Sequence, residues 1–250
     1  MTMFPRILLA SFTALALTAC GGDENVENAL GLSEPKIRLA HASPIAPAVT
    51  LDREGIPATQ ATSSPYGFVS DYFTIDTGSA AWGVKVASSG ASVGSVAINA
   101  DRGHRYTIVA VADGPGSTSL VTIDDPSDPS LTSDDGSVRV FNASVLTQSI
   151  DVYLSPAQSD IATLSPDFPS VGFKTAYPAS GADSLRRRGV TYKVSVTLSG
   201  TKAVLFQGTV AVPEDRDLLL LAVPTVEGSA GVRLLSKVDG QPGATEVPSL

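Results

Sequence analysis

Ile37-Arg38-Leu39-Ala40-His41-Ala42-Ser43 and, 101 positions later, Val138-Arg139-Val140-Phe141-Asn142-Ala143-Ser144 read as two versions of one strand and the bend that ends it. The same offset holds for Val49-Thr50-Leu51 against Ile150-Asp151-Val152. It then drifts as the loops differ, and Val84-Lys85-Val86 recurs as Tyr192-Lys193-Val194 at an offset of 108. A strand pattern repeated at nearly constant spacing, with loops of variable length between, is what a diverged tandem duplication of one module leaves behind.

Working outward, each copy consists of short runs of β-branched and aromatic residues punctuated by Gly, Pro, Ser and Asp, with no i, i+3, i+4, i+7 helical repeat. In the first half the expected strands are Ile37–Ala42, Ala48–Asp52, Phe68–Ile75, Trp82–Ser88, Val93–Ile98, Arg105–Ala112 and Leu120–Asp124. In the second they are Val138–Ala143, Ser149–Leu154, Val171–Ala176, Val190–Leu198, Ala203–Val212, Leu218–Val223 and Val232–Val238. Trp82, Val84 and Val86 alternate inward, as do Tyr106, Ile108 and Ala110. Seven strands per half predict an all-β chain of two tandem Ig-like antiparallel β-sandwich domains, at residues 37–125 and 138–240. A half of that size can bury a core without disulfides. An acidic linker at 126–137 and a C-terminal tail at 241–250 complete the division.

Ahead of the first strand, Arg6 precedes an apolar run, Ile7 to Leu17, that is too short for a permanent membrane span and reads as a secretion signal. It leads into Leu17-Thr18-Ala19-Cys20-Gly21, which resembles the bacterial lipobox. Residues 1–19 are therefore expected to be a lipoprotein signal peptide, and Cys20 the lipidated residue, carrying acyl chains such as palmitate. Several chains on one residue give stable anchoring. Cys20 is the single cysteine of the chain, so no disulfide is available and acylation disposes of a free thiol. By the sorting rule such lipoproteins follow, Gly21 in place of Asp points to the outer membrane. Residues 20–36 have little apolar material and read as a flexible acidic tether, about 20 to 24 Å from end to end.

The processed chain carries 16 basic against 25 acidic residues, a formal charge of −9. Such a surface repels phosphate backbones, and nucleic acid is excluded as a partner. Arg186-Arg187-Arg188 is a compact basic run that precedes Gly189 and reads as a solvated loop; its sharper alternative is a contact to anionic headgroups or lipopolysaccharide.

The stretch Arg38-Leu39-Ala40-His41-Ala42-Ser43-Pro44-Ile45-Ala46-Pro47-Ala48-Val49-Thr50-Leu51-Asp52 resembles the opening of the bacterial domain-of-unknown-function family 4397, RVVHASPDAPAVDVYVDG. The likeness extends to Tyr106-Thr107-Ile108-Val109-Ala110-Val111. The second copy keeps Ile150-Asp151-Val152-Tyr153 but has Asn142 for the His and Val145 for the Pro, while the first copy has Thr50 for the Asp. The resemblance implies an exported β-sandwich module and carries no established activity.

Gly90-Ala91-Ser92-Val93-Gly94 matches the G-x-S-x-G nucleophile elbow, but that motif needs a strand-to-helix turn and here lies between two strands, where a hairpin is expected. His41 and His104 are the two histidines. His41 is expected to hold the turn backbone through its imidazole, and without a second His at i+2 or i+4 or a free Cys, zinc would be short of ligands. Asp124, Asp125, Asp128, Asp134 and Asp135 gather between the halves; their spacing misses the EF-hand pattern, and a solvated linker is expected over a calcium site. Trp82 and Tyr106 invite a sugar-stacking reading, but their alternation with valines makes them core residues. The expectation is a non-catalytic cell-envelope lipoprotein, held in the membrane through its N-terminal lipid anchor, using no metal or cofactor and displaying or binding an envelope protein. A glycan-binding module is the alternative, and a surface serine hydrolase built on Ser92 is the third reading.

Overall fold

The computed structural model describes residues 30–126, 134–225 and 231–250; the expected signal segment, Cys20 and the middle of the expected acidic linker lie outside the described residues. Its strands are β1 (Lys36–Ala42), β2 (Val49–Arg53), β3 (Ile56–Pro57), β4 (Phe73–Thr74), β5 (Gly78–Val86), β6 (Ser92–Ala100), β7 (His104–Gly114) and β8 (Ser117–Pro126) in the first copy. The second copy has β9 (Asp135–Asn142), β10 (Ser149–Ser155), β11 (Phe168–Gly172), β12 (Ala176–Tyr177), β13 (Leu185–Arg188), β14 (Thr191–Leu198), β15 (Val204–Ala211), β16 (Asp217–Pro224), β17 (Val232–Val238) and β18 (Thr245–Glu246). The chain is all-β, and each copy is a two-sheet sandwich.

In the first copy, sheet β4-β1-β7-β8 faces sheet β3-β2-β5-β6; in the second, β12-β9-β16-β17-β18, with β13 also on β9, faces β11-β10-β14-β15. Both copies depart from the antiparallel expectation at the same place. β1 runs parallel to β7 (Ile37 opposite Tyr106) and β9 parallel to β16 (Val138 opposite Leu218). Pairing also resets the alignment of the copies. Val86 opposes Val49 and Leu198 opposes Ile150, so Val86 corresponds to Leu198, an offset of 112 rather than 108. Trp82 thus corresponds to Val194, and both are core residues.

Three apolar cores stack the four sheets. Ile37, Leu39, Leu51, Val84 and Ile108 fill the first sandwich, and Val140, Val152, Phe168, Val196 and Leu220 the second. Ala40, Ala42, Val109 and Val111, on the other face of the first copy's β1 and β7, pack against Phe141, Leu219, Leu221 and Leu235 of the second. The middle strands are consequently buried on both faces, which is why β16 reads Leu218-Leu219-Leu220-Leu221-Ala222-Val223 without polar alternation. The halves are therefore not two beads on an acidic string.

One end of this central seam is charged. Arg105, second in β7, and Asp217, first in β16, stand at equivalent positions, and the two form an ion pair; Arg105 also reaches Asp239 at 3.3 Å and Asp125 at 3.7 Å. Burial opposes the charge on Arg105, but Asp217, Tyr72, Asp125 and Asp239 outweigh it and raise its pKa. Arg139 donates to Asp125 Oδ1 at 3.0 Å and to the carbonyls of Pro178, Ala179 and Ala182. Arg38, its counterpart in the first copy, donates to Thr107 Oγ1 at 2.9 Å and lies 4.1 Å over the Tyr72 ring. Lys237, buried, pairs with Asp71 across the seam. Asp124 and Asp125, expected in a solvated linker, instead end β8, and Asp125 is 6% exposed. Asp134 and Asp135 precede and open β9; Asp128 is outside the described residues. Arg186-Arg187-Arg188 is not a loop but most of β13, paired with β9, and Arg187 bonds Asp167 at 2.7 Å. The tether expected over 20–36 is also shorter than drawn, because Ser33 and Pro35 accept backbone hydrogen bonds from Gly103 and Ile75 at 2.9 Å and β1 starts at Lys36.

Candidate functional site

The described surface carries an open cleft of about 590 Å³ at one end of the first sandwich, where edge strands β3 and β4 of its two sheets face each other. The β2–β3 hairpin forms one side. Its two-residue turn, Glu54-Gly55, has positive φ at both positions (51° and 92°), which matches the right-handed twist of the flanking strands. Asp52 Oδ1 accepts from Gly55 N at 2.7 Å and fixes that turn. Asp52 stands opposite Gly83 in the β2–β5 register, and a Cβ on Gly83 would lie 2.8 Å from Asp52 Oδ2, so the carboxylate takes the space a side chain would need.

Trp82, opposite Arg53, and Phe73, opposite Ile37, meet in the wall of the cleft with ring centroids 6.2 Å apart and tilted by 59°. The rim is polar: Arg53 bonds Asp76 at 2.7 Å, and Glu34, Glu54, Thr59 and Gln60 stand nearby. An ion pair this exposed contributes little to stability, so a ligand can replace it at small cost. With Glu34, Glu54 and Asp76 against Arg53, the rim is acidic and disfavours anions. The lining combines carboxylates, a guanidinium and an amide and contains no His, Cys or Ser, a set that can hydrogen-bond hydroxyl groups. Among the described residues no group of three His, Cys, Asp or Glu side chains is arranged to hold a metal ion.

The residues singled out in the sequence lie elsewhere. Ser92 begins β6 opposite Lys85, and the chain continues from it as a strand, without the helix of a nucleophile elbow. His41 is 1% exposed and its Nδ1 is 3.0 Å from the Ser64 carbonyl, a contact that holds the loop after β3. Burial lowers its pKa, only partly offset by hydrogen bonds with the Ser64, Pro65 and Ser43 backbone. Asn142 does the equivalent work in the second copy, donating to Val171 O at 3.1 Å and accepting from Ser144 N at 2.9 Å. His104 Nδ1 bonds Asp124 at 2.7 Å and stacks on Tyr106. Trp82 (2% exposed) and Tyr106 (4%) are core residues, so neither offers a free ring face, and the Trp82 indole Nε1 is buried without a partner. Sequence reading missed Arg53, Glu54, Gln60 and Asp76. The turn dipeptide Glu54-Gly55 was the one local sign of the hairpin that carries the first two.

Fold and cleft together define a tandem β-sandwich protein with a surface cleft. Residues 35–153 match the model of a family described as Domain of unknown function (DUF4397), a span that covers the first sandwich and ends in β10. No curated protein matches the chain. Among solved structures it is similar to the crystal structure of CBMbc (family CBM26) from Eubacterium rectale Amy13K in complex with maltoheptaose, at 11% identity and a TM-score of 0.22, over 83% of this chain and 96% of that one.

Proposed function

We propose that the protein is a non-catalytic lipoprotein of the cell envelope, anchored through Cys20, whose two fused sandwiches form a firm scaffold for display or for binding an envelope partner. The observation that carries this reading is the apolar and charged seam between the copies, which buries Arg139 and Lys237 and covers the second face of each copy's central strands. Such a scaffold holds its surfaces in one mutual arrangement, as a presenting module needs. The test is the intact mass of native and Cys20→Ala protein, followed by separation of inner and outer membranes. A mass matching a chain that starts at an acylated Cys20, lost in the variant, with the protein in the outer-membrane fraction, is the expected result. An unmodified soluble chain overturns it.

The glycan alternative keeps one observation in its favour, the acidic, amide-bearing rim of the cleft, which suits a neutral, hydroxyl-rich ligand over an anionic one. Calorimetric titration with a panel of neutral and anionic oligosaccharides tests it. The expected result is binding of a neutral member that Arg53→Ala and Gln60→Ala weaken at least tenfold, and indifference of both variants to every bound member removes the cleft from consideration.

A further inference from the structure

The tether ends at one particular end of the molecule. Arg102 Nη1 donates to Leu32 O at 2.9 Å, and Gly103 N donates to Ser33 O at 2.9 Å. Gly103 has φ +76°, and a Cβ there would meet Gly31 Cα at 2.8 Å, so the incoming chain crosses the β6–β7 turn at a distance only glycines allow. Nine residues, 21–29, separate Cys20 from the first described residue. A stretch of nine residues reaches at most about 30 Å.

The end they reach is apolar at its edge. Leu30 is 65% exposed, Leu32 55% and Ile56 73%, and Glu34, two residues after Leu32, shares the cleft lining with Ile56. Leu146, 47% exposed, marks the other end of the molecule. The Arg105–Asp217 pair joins the starts of β7 and β16, the Tyr66 hydroxyl donates to Pro224 O where β16 stops, and Leu146 follows the end of β9. β1, β7, β9 and β16 therefore begin at the end where the tether arrives.

We infer that this end of the first sandwich rests on a phospholipid leaflet, with Leu30, Leu32 and Ile56 in its interfacial layer and the cleft opening at the membrane surface. The inference rests on the anchoring at Cys20 proposed above. Glu34, Glu54 and Asp76 line the cleft with Ile56, so the contact is apolar and suits zwitterionic headgroups over anionic ones.

Acylation consumes the chain's single cysteine, so Leu32→Cys, Ile56→Cys and Leu146→Cys each supply one thiol for an environment-sensitive fluorophore. The labelled, acylated full chains are placed in phosphatidylethanolamine–phosphatidylcholine vesicles with and without doxyl-labelled lipid, after intact mass and flotation have been scored. Quenching at positions 32 and 56 several-fold stronger than at 146 is expected. Chains that float with equal quenching at all three positions overturn the docking and leave the anchor standing. Burial of probes 32 and 56 that depends on protein density, without lipid quenching, overturns it in favour of contact between copies. Chains that neither float nor carry the acyl mass overturn both readings.

Discussion

In the first sandwich 24 residues join β2 to β5; in the second 35 join β10 to β14, and these eleven additional residues account for the change of offset from 101 to 112. Both connections run along the same edge. Val69 bridges Ala40 and Phe73 opposes Ile37, while at the corresponding places Ala176 opposes Phe141 and Leu185 opposes Val138. Between those points the first copy has three residues, of which Asp71 and Tyr72 enter the seam to meet Lys237, Arg38 and Arg105. The second copy has eight, and they close over the seam from the other side: Pro178, Ala179 and Ala182 bind Arg139, Ser180 Oγ accepts from Asp124 N at 2.8 Å, and Ser184 Oγ donates to Asp125. The difference teaches that the duplicated cores stayed alike while one edge connection diverged into a latch that binds the partner sandwich.

The largest effect is expected at the latch. Arg139→Leu leaves three carbonyls without their donor and takes from Asp125 its buried ion-pair partner, and should cost about 3–5 kcal/mol, read from urea unfolding; a cost near that of an exposed arginine would show that the latch does not join the copies. The Asp52–Gly83 pair of the first copy is Tyr153–Ser195 in the second. Gly83→Ser should therefore destabilise by about 1–3 kcal/mol, an overpacking cost visible as a lower thermal midpoint, and a neutral result would show that Asp52 can move. Ser180→Ala removes one hydrogen bond of the latch and should cost about 0.5–1.5 kcal/mol.

His41 and Asn142 sharpen the comparison through pH. Burial lowers the His41 pKa below 6.5, so the unfolded chain binds the proton more readily than the folded one. The stabilisation from neutral His41 is complete above the unfolded value of 6.5 and is lost as pH falls below it towards the folded value. His41→Asn, the second copy's residue, should leave a shallower loss of stability between neutral and mildly acidic pH than the parent shows. An unchanged slope would assign the acid sensitivity to other groups. The smallest effect belongs to the cleft edge, where Ile56→Ser should shift stability by less than about 0.5 kcal/mol, since that side chain is 73% exposed.

Much of the architecture was legible from local chemistry. Strands such as β6 and β17 fall where alternation and turn residues put them, because a pleated strand covered on one face records burial at a period near two. β3, β13 and β18 escaped notice, being two to four residues long or, in β13, composed of arginines. The run Leu218 to Val223 did hold a sign of the four-layer stack, since a strand apolar on both faces must be covered on both. The cleft was not legible: Glu34, Arg53, Gln60 and Asp76 are unremarkable residues of separate loops and strand ends, and what makes them a site is the gap between two sheet edges.

By itself, then, the sequence determined that this is a duplicated all-β chain, with its repeat and its core-facing residues, because strand periodicity depends on neighbours a few residues away, whereas His41 meets Ser64, 23 residues on. Tertiary structure alone decided the parallel β1–β7 and β9–β16 pairs, the partner that closes the apolar seam, and the burial of Asp125, expected in a solvated linker, against Arg139. Burial at one position reveals that something covers a side chain but not what covers it, and a charge is tolerated inside only when distant segments bring its partners to it.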